Sequence, residues 1–199
     1  VYLGETRGSL DSTAARTCVS ELLGMPDKLA TVLKRDEQCR ELARICAGGN
    51  DFMFLGRGIH YAMAMDGALK LKETSYIHAE GYPTGEIKHG PYALIDEHLI
   101  VVALATRDPR DATSTLRWEK TLADIREIRQ HGARVIALAV QGDDAVGEIA
   151  DHTVLIPAAP ELLLPIVEIV PLQLLAYHIA VARGRNVDQP RNLVRAVVS

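Results

Sequence analysis

Proton-transferring side chains crowd one stretch, Lys70 to Pro91, which reads KLKETSYIHAEGYPTGEIKHGP. Asp66, Lys70 and Glu73 recur at i, i+4 and i+7 and so share one face of a helix. Glu80, Glu86, Lys88 and His89 follow among Gly81, Pro83, Gly85, Gly90 and Pro91, whose turns can hold side chains in place. A carboxylate on a packed helix suits the transfer of a proton between adjacent carbons of a sugar. Burial raises its pKa toward neutrality, and a nearby lysine keeps it ionised. A histidine on an adjacent loop titrates near pH 7 and can carry the proton that opens a sugar ring. Glu73, His89 and Lys70 are the candidate acid–base set.

By spacing alone, a solvated charge ladder is the more ordinary outcome, roughly a few tenths of a kcal/mol per pair. Three features favour a site. The rest of the helix is small and apolar (Ala62, Met63, Ala64, Met65, Ala68, Leu69, Leu71), which implies burial. It starts at the end of a strand, where parallel sheets place their ligands. It also runs into the Gly/Pro-rich loop that carries His89. The remaining histidines, at 60, 78, 98, 131, 152 and 178, are read as structural, since none stands at metal-ligand spacing from Cys or carboxylates. Gly56-Arg57-Gly58 matches only half of a dinucleotide fingerprint, a weak signal.

The elements that must position these residues are legible as strands and helices in alternation. Asp51–Gly58, Leu99–Thr106, Arg134–Val140 and His152–Pro157 are short, almost continuously apolar runs, the pattern of strands covered on both faces. Helical patterns fill the intervals: Ile59–Ala79, Asp111–His131, a short one at Asp144–Ile149, and Glu161–Arg183. This alternation predicts a three-layer α/β fold with a parallel sheet of about five strands and helices on both faces. Residues 1–47 read as a helical extension, broken at Met25-Pro26-Asp27 and stopped at Ala47–Asn50. The domain proper is expected over 48–183. Residues 184–199 contain Pro190 and the apolar Leu193, Val194, Val197 and Val198, and are expected to pack back on the body.

Composition narrows the function. The 199 residues are 48% hydrophobic and 24% charged, enough for one packed core. A net charge of -4 offers no basic field for nucleic acid or an anionic membrane. No apolar run is seen to approach the roughly 20 residues that span a bilayer, and the start shows no signal pattern. Cys18, Cys39 and Cys46 are odd in number and form no CxxC, which reads as reduced, buried thiols and a cytoplasmic setting. The loop TRDPRDATS after the second apolar run has Arg107, Thr113 and Ser114 but no glycine, so the chain lacks an obvious phosphate cradle.

GALKLKETSYIHAEGYPTGEIKHGP, VPLQLLAYHIAVARGRNVDQPRNL and the GRG after the first strand resemble the C-terminal half of the glucosamine-6-phosphate synthases, the isomerizing glutamine–fructose-6-phosphate aminotransferases. Their isomerase part is two tandem SIS (sugar isomerase) domains, and the resemblance covers nearly the whole chain. It implies an SIS fold, a homodimer, and fructose 6-phosphate and glucosamine 6-phosphate as ligands. It implies no cofactor and no metal. Glu73 would move the proton between C1 and C2, and His89 would assist ring opening, reaching the neighbouring subunit. Lys70 would tune the charge beside them, and the tail DQPRNLVR would close over the sugar. Residues 1–47 would connect to a preceding SIS domain, which with the glutaminase domain is missing from this chain and would hold the phosphate cradle. The chain alone is expected to be inactive. Where the family carries a Schiff-base lysine, this sequence has Arg195 after Val194, and a guanidinium is no amine nucleophile. The alternatives are a non-catalytic sugar-phosphate-binding or dimerisation module and an amino-sugar-phosphate deaminase.

Overall fold

A computed structural model describes residues 1–193. Val194 and Arg195, the two tail positions of the candidate site, lie outside the described residues. Five parallel strands form one sheet: β1 (Asp51–Gly56), β2 (His78–Pro83), β3 (Ile100–Leu104), β4 (Arg134–Val140) and β5 (His152–Ile156), in the order β2-β1-β3-β4-β5. The register places Phe52 beside Ala79 and Ile100, and Ile136 beside Val102 and His152. The order reverses between β1 and β3, which makes their carboxyl ends the topological switch point of the sheet.

Four of the five strands follow the apolar runs of the sequence. β2 does not: HAEGYP, expected to be helix end and loop, pairs along the outer side of β1. The helix before it, α5 (His60–Ser75), correspondingly stops earlier than the expected Ala79, because Tyr76 adopts a left-handed conformation with φ 64° and its N–H returns to Lys72 O. An αL residue of this kind ends a helix.

Alternation along the strands splits the core into two layers. Phe52, Phe54, Ile100, Val102, Leu104, Ile136 and Leu138 face α4 (Asp36–Cys46), α5 and α8 (Leu164–Ala182). Met53, Leu55, Val101, Ala103, Val135, Ala137 and Ala139 face α6 (Ala112–Gln130) and α7 (Asp144–Gly147). This is the expected three-layer architecture. Burying a large aliphatic side chain stabilises the fold by about 1.5–3 kcal/mol, so these two faces carry the domain. Asp11 caps α2 (Ser12–Leu23) by accepting from Thr13 N and Ala14 N, each at 2.8 Å, and Asp111 caps α6 through Thr113 N and Ser114 N. Pro26 lies in the first turn of α3 (Met25–Leu33), so it opens a helix as well as separating two.

Helix α8 is long and apolar enough, by length and composition, to pass for a membrane span, a feature the sequence reading did not see. It is a core helix: Leu172, Leu175, Ala176 and Ile179 pack into the sheet layer, and a fully buried Glu168 sits in its first half. The described part of the tail turns over Tyr76, whose hydroxyl accepts from Arg191 N at 2.9 Å. Leu193 is 48% exposed and does not pack as expected.

Candidate active site

Helix α5 is fixed along its whole length. Ala64, Gly67, Ala68, Leu71 and Ser75 form its buried face against the sheet and α8. Gly56 at the end of β1 lets the chain turn directly into this helix. A Cβ there would collide with the backbone carbonyl of His60. At the other end, Thr74 Oγ1 donates to Lys70 O at 2.8 Å and lies 3.4 Å from Ala176 O of α8.

On this rigid support the Lys70 ammonium donates to Glu73 Oε2 at 3.1 Å. The two side chains remain 35% and 31% exposed. The burial expected for Glu73 from the apolar composition of its helix is therefore absent in this chain. The apolar residues are divided between a buried face and the exposed Met65 and Leu69, and Glu73 lies at the boundary between them. The arrangement sets a carboxylate, with an ammonium 3.1 Å away, at the partly exposed edge of the helix.

His89 sits elsewhere. It ends a 3-10 helix, Thr84–His89, that follows β2, and its side chain is 77% exposed with Glu86 at 3.9 Å. Of its neighbours, Ile87 is fully buried, and Lys88 donates to Glu127 of α6 at 2.5 Å. The turn is thus anchored by the two residues just before an outward-pointing imidazole. The structure joins Lys70 to Glu73 and gives His89 no contact with either.

A second polar cluster, not anticipated from the sequence, occupies the switch point between β1 and β3. His60, read as a structural histidine, is 3% exposed and lies between two carboxylates. Its Nδ1 donates to Glu168 Oε1 at 2.7 Å and its Nε2 to Glu161 Oε1 at 3.2 Å. Thr106 donates to Glu168, while Ser114 and Arg117 donate to Glu161. Burial pulls the imidazole pKa down, but the hydrogen bonds and charges of the two glutamates outweigh it and raise it to about 9. Burial pushes the Glu161 carboxyl up, yet bonds from His60 and Ser114, the His60 charge and Arg117 together bring it down to about 2. The signal for this cluster was Glu168, the one charged residue in the largely apolar run LPIVEIVPLQLLA. Its partners come from three other segments, which spacing along the chain cannot bring together.

Among the described residues, no group of three or more His, Cys, Asp or Glu side chains is placed to hold a metal ion. Cys39 and Cys46 are buried, and burial pushes each thiol up to about 11.

Comparison with known proteins gives these features a family. The family model described as the SIS domain matches residues 49–183. A glutamine–fructose-6-phosphate aminotransferase [isomerizing] of Thermus thermophilus is 48% identical over 197 residues, 99% of this chain and 32% of that protein. A Streptomyces coelicolor protein of the same name is 46% identical over 197 residues, with the same two coverages of 99% and 32%. The chain thus spans about a third of the length of the curated relatives it matches. Among solved structures, the C-terminal domain of glucosamine-fructose-6-phosphate aminotransferase from Francisella tularensis superposes with a TM-score of 0.84 at 34% identity, covering 94% of this chain and 51% of that one. A tagatose-6-phosphate ketose/aldose isomerase of Escherichia coli, 21% identical with a TM-score of 0.70 over 87% of this chain and 46% of that one, shares the fold. With its parallel sheet in the order 2-1-3-4-5 and the match over residues 49–183, the chain belongs to the SIS domain family.

Proposed function

We propose that this chain is the C-terminal isomerase unit of a glucosamine-6-phosphate synthase, working on fructose 6-phosphate and ammonia released from glutamine to form glucosamine 6-phosphate. The observation that carries this reading is the Lys70–Glu73 ion pair, held half-exposed on an immobilised helix, in a chain 48% identical from end to end to the Thermus aminotransferase. Glu73 is the base that moves the proton between C1 and C2, and the Lys70 ammonium beside it tunes the charge. His89 protonates the ring oxygen. Its 77% exposure on an anchored turn suits use by a second copy in a cytoplasmic homodimer. Residues 1–47 form the connector from a preceding SIS unit, 48–183 the SIS domain, and 184–199 the segment that closes over the sugar. The glutaminase and first SIS units belong to the same polypeptide, and the 199 residues alone turn nothing over.

The test is the rate of glucosamine 6-phosphate formation by the polypeptide that carries this chain behind those two units. Glu73→Gln lowers kcat by about a thousandfold, within the range for removing a general base. Equal rates for the variant and the parent overturn the assignment. Arg195, at the position where the resemblance places an amine nucleophile, favours one second reading: a sugar-phosphate-binding or dimerisation module without chemistry. Tight fructose 6-phosphate binding without turnover, unrescued by Arg195→Lys, selects that module. Release of ammonia from glucosamine 6-phosphate in place of its incorporation selects a deaminase.

A further inference from the structure

The chain beyond α8 is tied to the end of α5 by one side chain. Gly184, with φ 66°, ends α8, and Arg185 N returns to Ala180 O at 2.9 Å, so the chain reverses there. Arg183 fixes the base of this reversal. Its guanidinium donates to Ala47 O at 2.9 Å, Gly49 O at 3.2 Å and Asn50 Oδ1 at 2.7 Å. Asn186 Oδ1 then accepts from Asp188 N at 3.0 Å and Gln189 N at 3.3 Å, which sets a bend. The two ends of the bend meet on Tyr76. The Arg191 guanidinium lies 4.2 Å and the Arg185 guanidinium 5.3 Å from the centre of its ring, and Arg191 N donates to its hydroxyl at 2.9 Å. Both ring distances fall within the reach of cation–π attraction, about 6 Å.

Tyr76 holds this place against its own backbone preference. Its φ of 64° is a left-handed conformation that a bulky residue enters with strain and glycine enters freely. Ending α5 requires only that conformation, which glycine would supply at less strain. Gripping the tail requires the ring and the hydroxyl. We propose that Tyr76 is a positioning residue that clasps the segment after α8 to the end of α5, three residues beyond Glu73. This role rests on the proposed function, in which that segment closes over the sugar; the clasp holds it beside the helix that carries the base. Arg185 and Arg191 are exposed, so the grip is of the weak, reversible kind that a segment admitting substrate requires.

Hydrogen exchange at the backbone amide of residue 191, followed by NMR in the 199-residue chain, reads the clasp directly. Wild type protects that amide. Tyr76→Phe, which keeps the ring and loses the acceptor, exchanges it about tenfold faster, and Tyr76→Gly faster still. Thermal unfolding reports whether each variant is folded; if Tyr76→Gly does not melt cooperatively, Arg185→Ala/Arg191→Ala, which leaves α5 untouched, is read in its place. An amide that exchanges in wild type as fast as in these variants overturns the clasp. The positioning role is read in a polypeptide that joins this chain to a glutaminase and a first SIS unit. There a folded Tyr76→Gly raises KM for fructose 6-phosphate about tenfold, and Tyr76→Phe recovers part of the loss. An active parent whose KM and kcat are the same with Tyr76→Gly overturns that role and leaves the clasp. A parent that forms no glucosamine 6-phosphate removes the proposed function and the positioning role with it, and the exchange result still decides the clasp.

Discussion

His60 at the head of α5 donates to Glu168 within α8 across 2.7 Å, and both side chains are almost wholly buried, at 3% and 0% exposed. This bond ties together the two helices that cover one face of the sheet. A buried charge pair of this kind stabilises little relative to apolar residues, but losing one partner strands the other. Glu168→Leu alone or His60→Leu alone should therefore cost about 3–5 kcal/mol in denaturant unfolding, and the double leucine variant distinctly less than their sum. Strict additivity in the cycle would show that the pair is not energetically coupled.

The same cluster sets a pH window. The His60 pKa rises from 6.5 to about 9 on folding, so its contribution is complete below pH 6.5 and is lost as pH rises through 9. The Glu161 pKa falls from 4.5 to about 2, so its contribution is complete above pH 4.5 and is lost as pH falls through 2. The groups facing His60 are Glu161, Glu168 and Thr106, with Arg117 behind Glu161. Stability from the cluster is thus greatest between pH 4.5 and 6.5 and declines by about 3 kcal/mol on the alkaline side. Urea unfolding at pH 6 and pH 9.5 measures it. His60→Gln should flatten that decline, and a wild-type curve level across this range would contradict the account.

Lys70 and Glu73 separate stability from chemistry. Their ion pair is about a third exposed on both sides, so Lys70→Met should shift unfolding by less than about 1 kcal/mol. Under the proposed function, in a polypeptide that joins this chain to a glutaminase and a first SIS unit, the same change should lower kcat while leaving KM nearly unaltered. A large loss of stability with unchanged kcat would assign Lys70 to the scaffold.

Gly56 is a steric requirement. Alanine there must displace the His60 carbonyl, and with it the first turn of α5. Gly56→Ala should lower stability by about 3 kcal/mol or more, read as a fall in Tm. A melting curve unchanged from wild type would mean that β1 and α5 can separate freely.

Thiol chemistry should discriminate among the cysteines. Cys39 and Cys46 are buried with pKa values pushed up to about 11, while Cys18 is partly exposed. A disulfide reagent at pH 8 should modify Cys18 in the native chain and reach the other two only on unfolding. Rapid native labelling of Cys46 would mean that α4 lifts from the sheet.

The parts of the fold that could be read along the chain are those in which local pattern and burial agree. Arg134–Val140 is apolar after its exposed first residue because both faces are covered, and the strand matches the sequence reading at both ends. β2 escaped because its polar composition suits an outermost strand, and its Gly81 and Pro83 read as turn residues. Helix α5 was drawn too long because the left-handed state of Tyr76, a residue with no special preference for it, leaves no mark in the sequence. At the candidate site, the proximity of Lys70 and Glu73 follows from helical spacing, whereas the exposure of Glu73 depends on how the helix rolls against α8. The Glu161–His60–Glu168 cluster is assembled by tertiary structure alone, and only the misplaced polarity of Glu168 announced it.

Among the described residues, no strand pairs with the outer side of β2, which leaves a row of amide and carbonyl groups at the sheet margin. Such a margin invites sheets to join edge to edge. This chain counters the hazard with composition: His78 and Glu80 are solvated or half-solvated there, and Pro83 removes a donor from the last rung. The polarity that concealed this strand in the sequence therefore also weighs against its pairing with the sheet of a second copy.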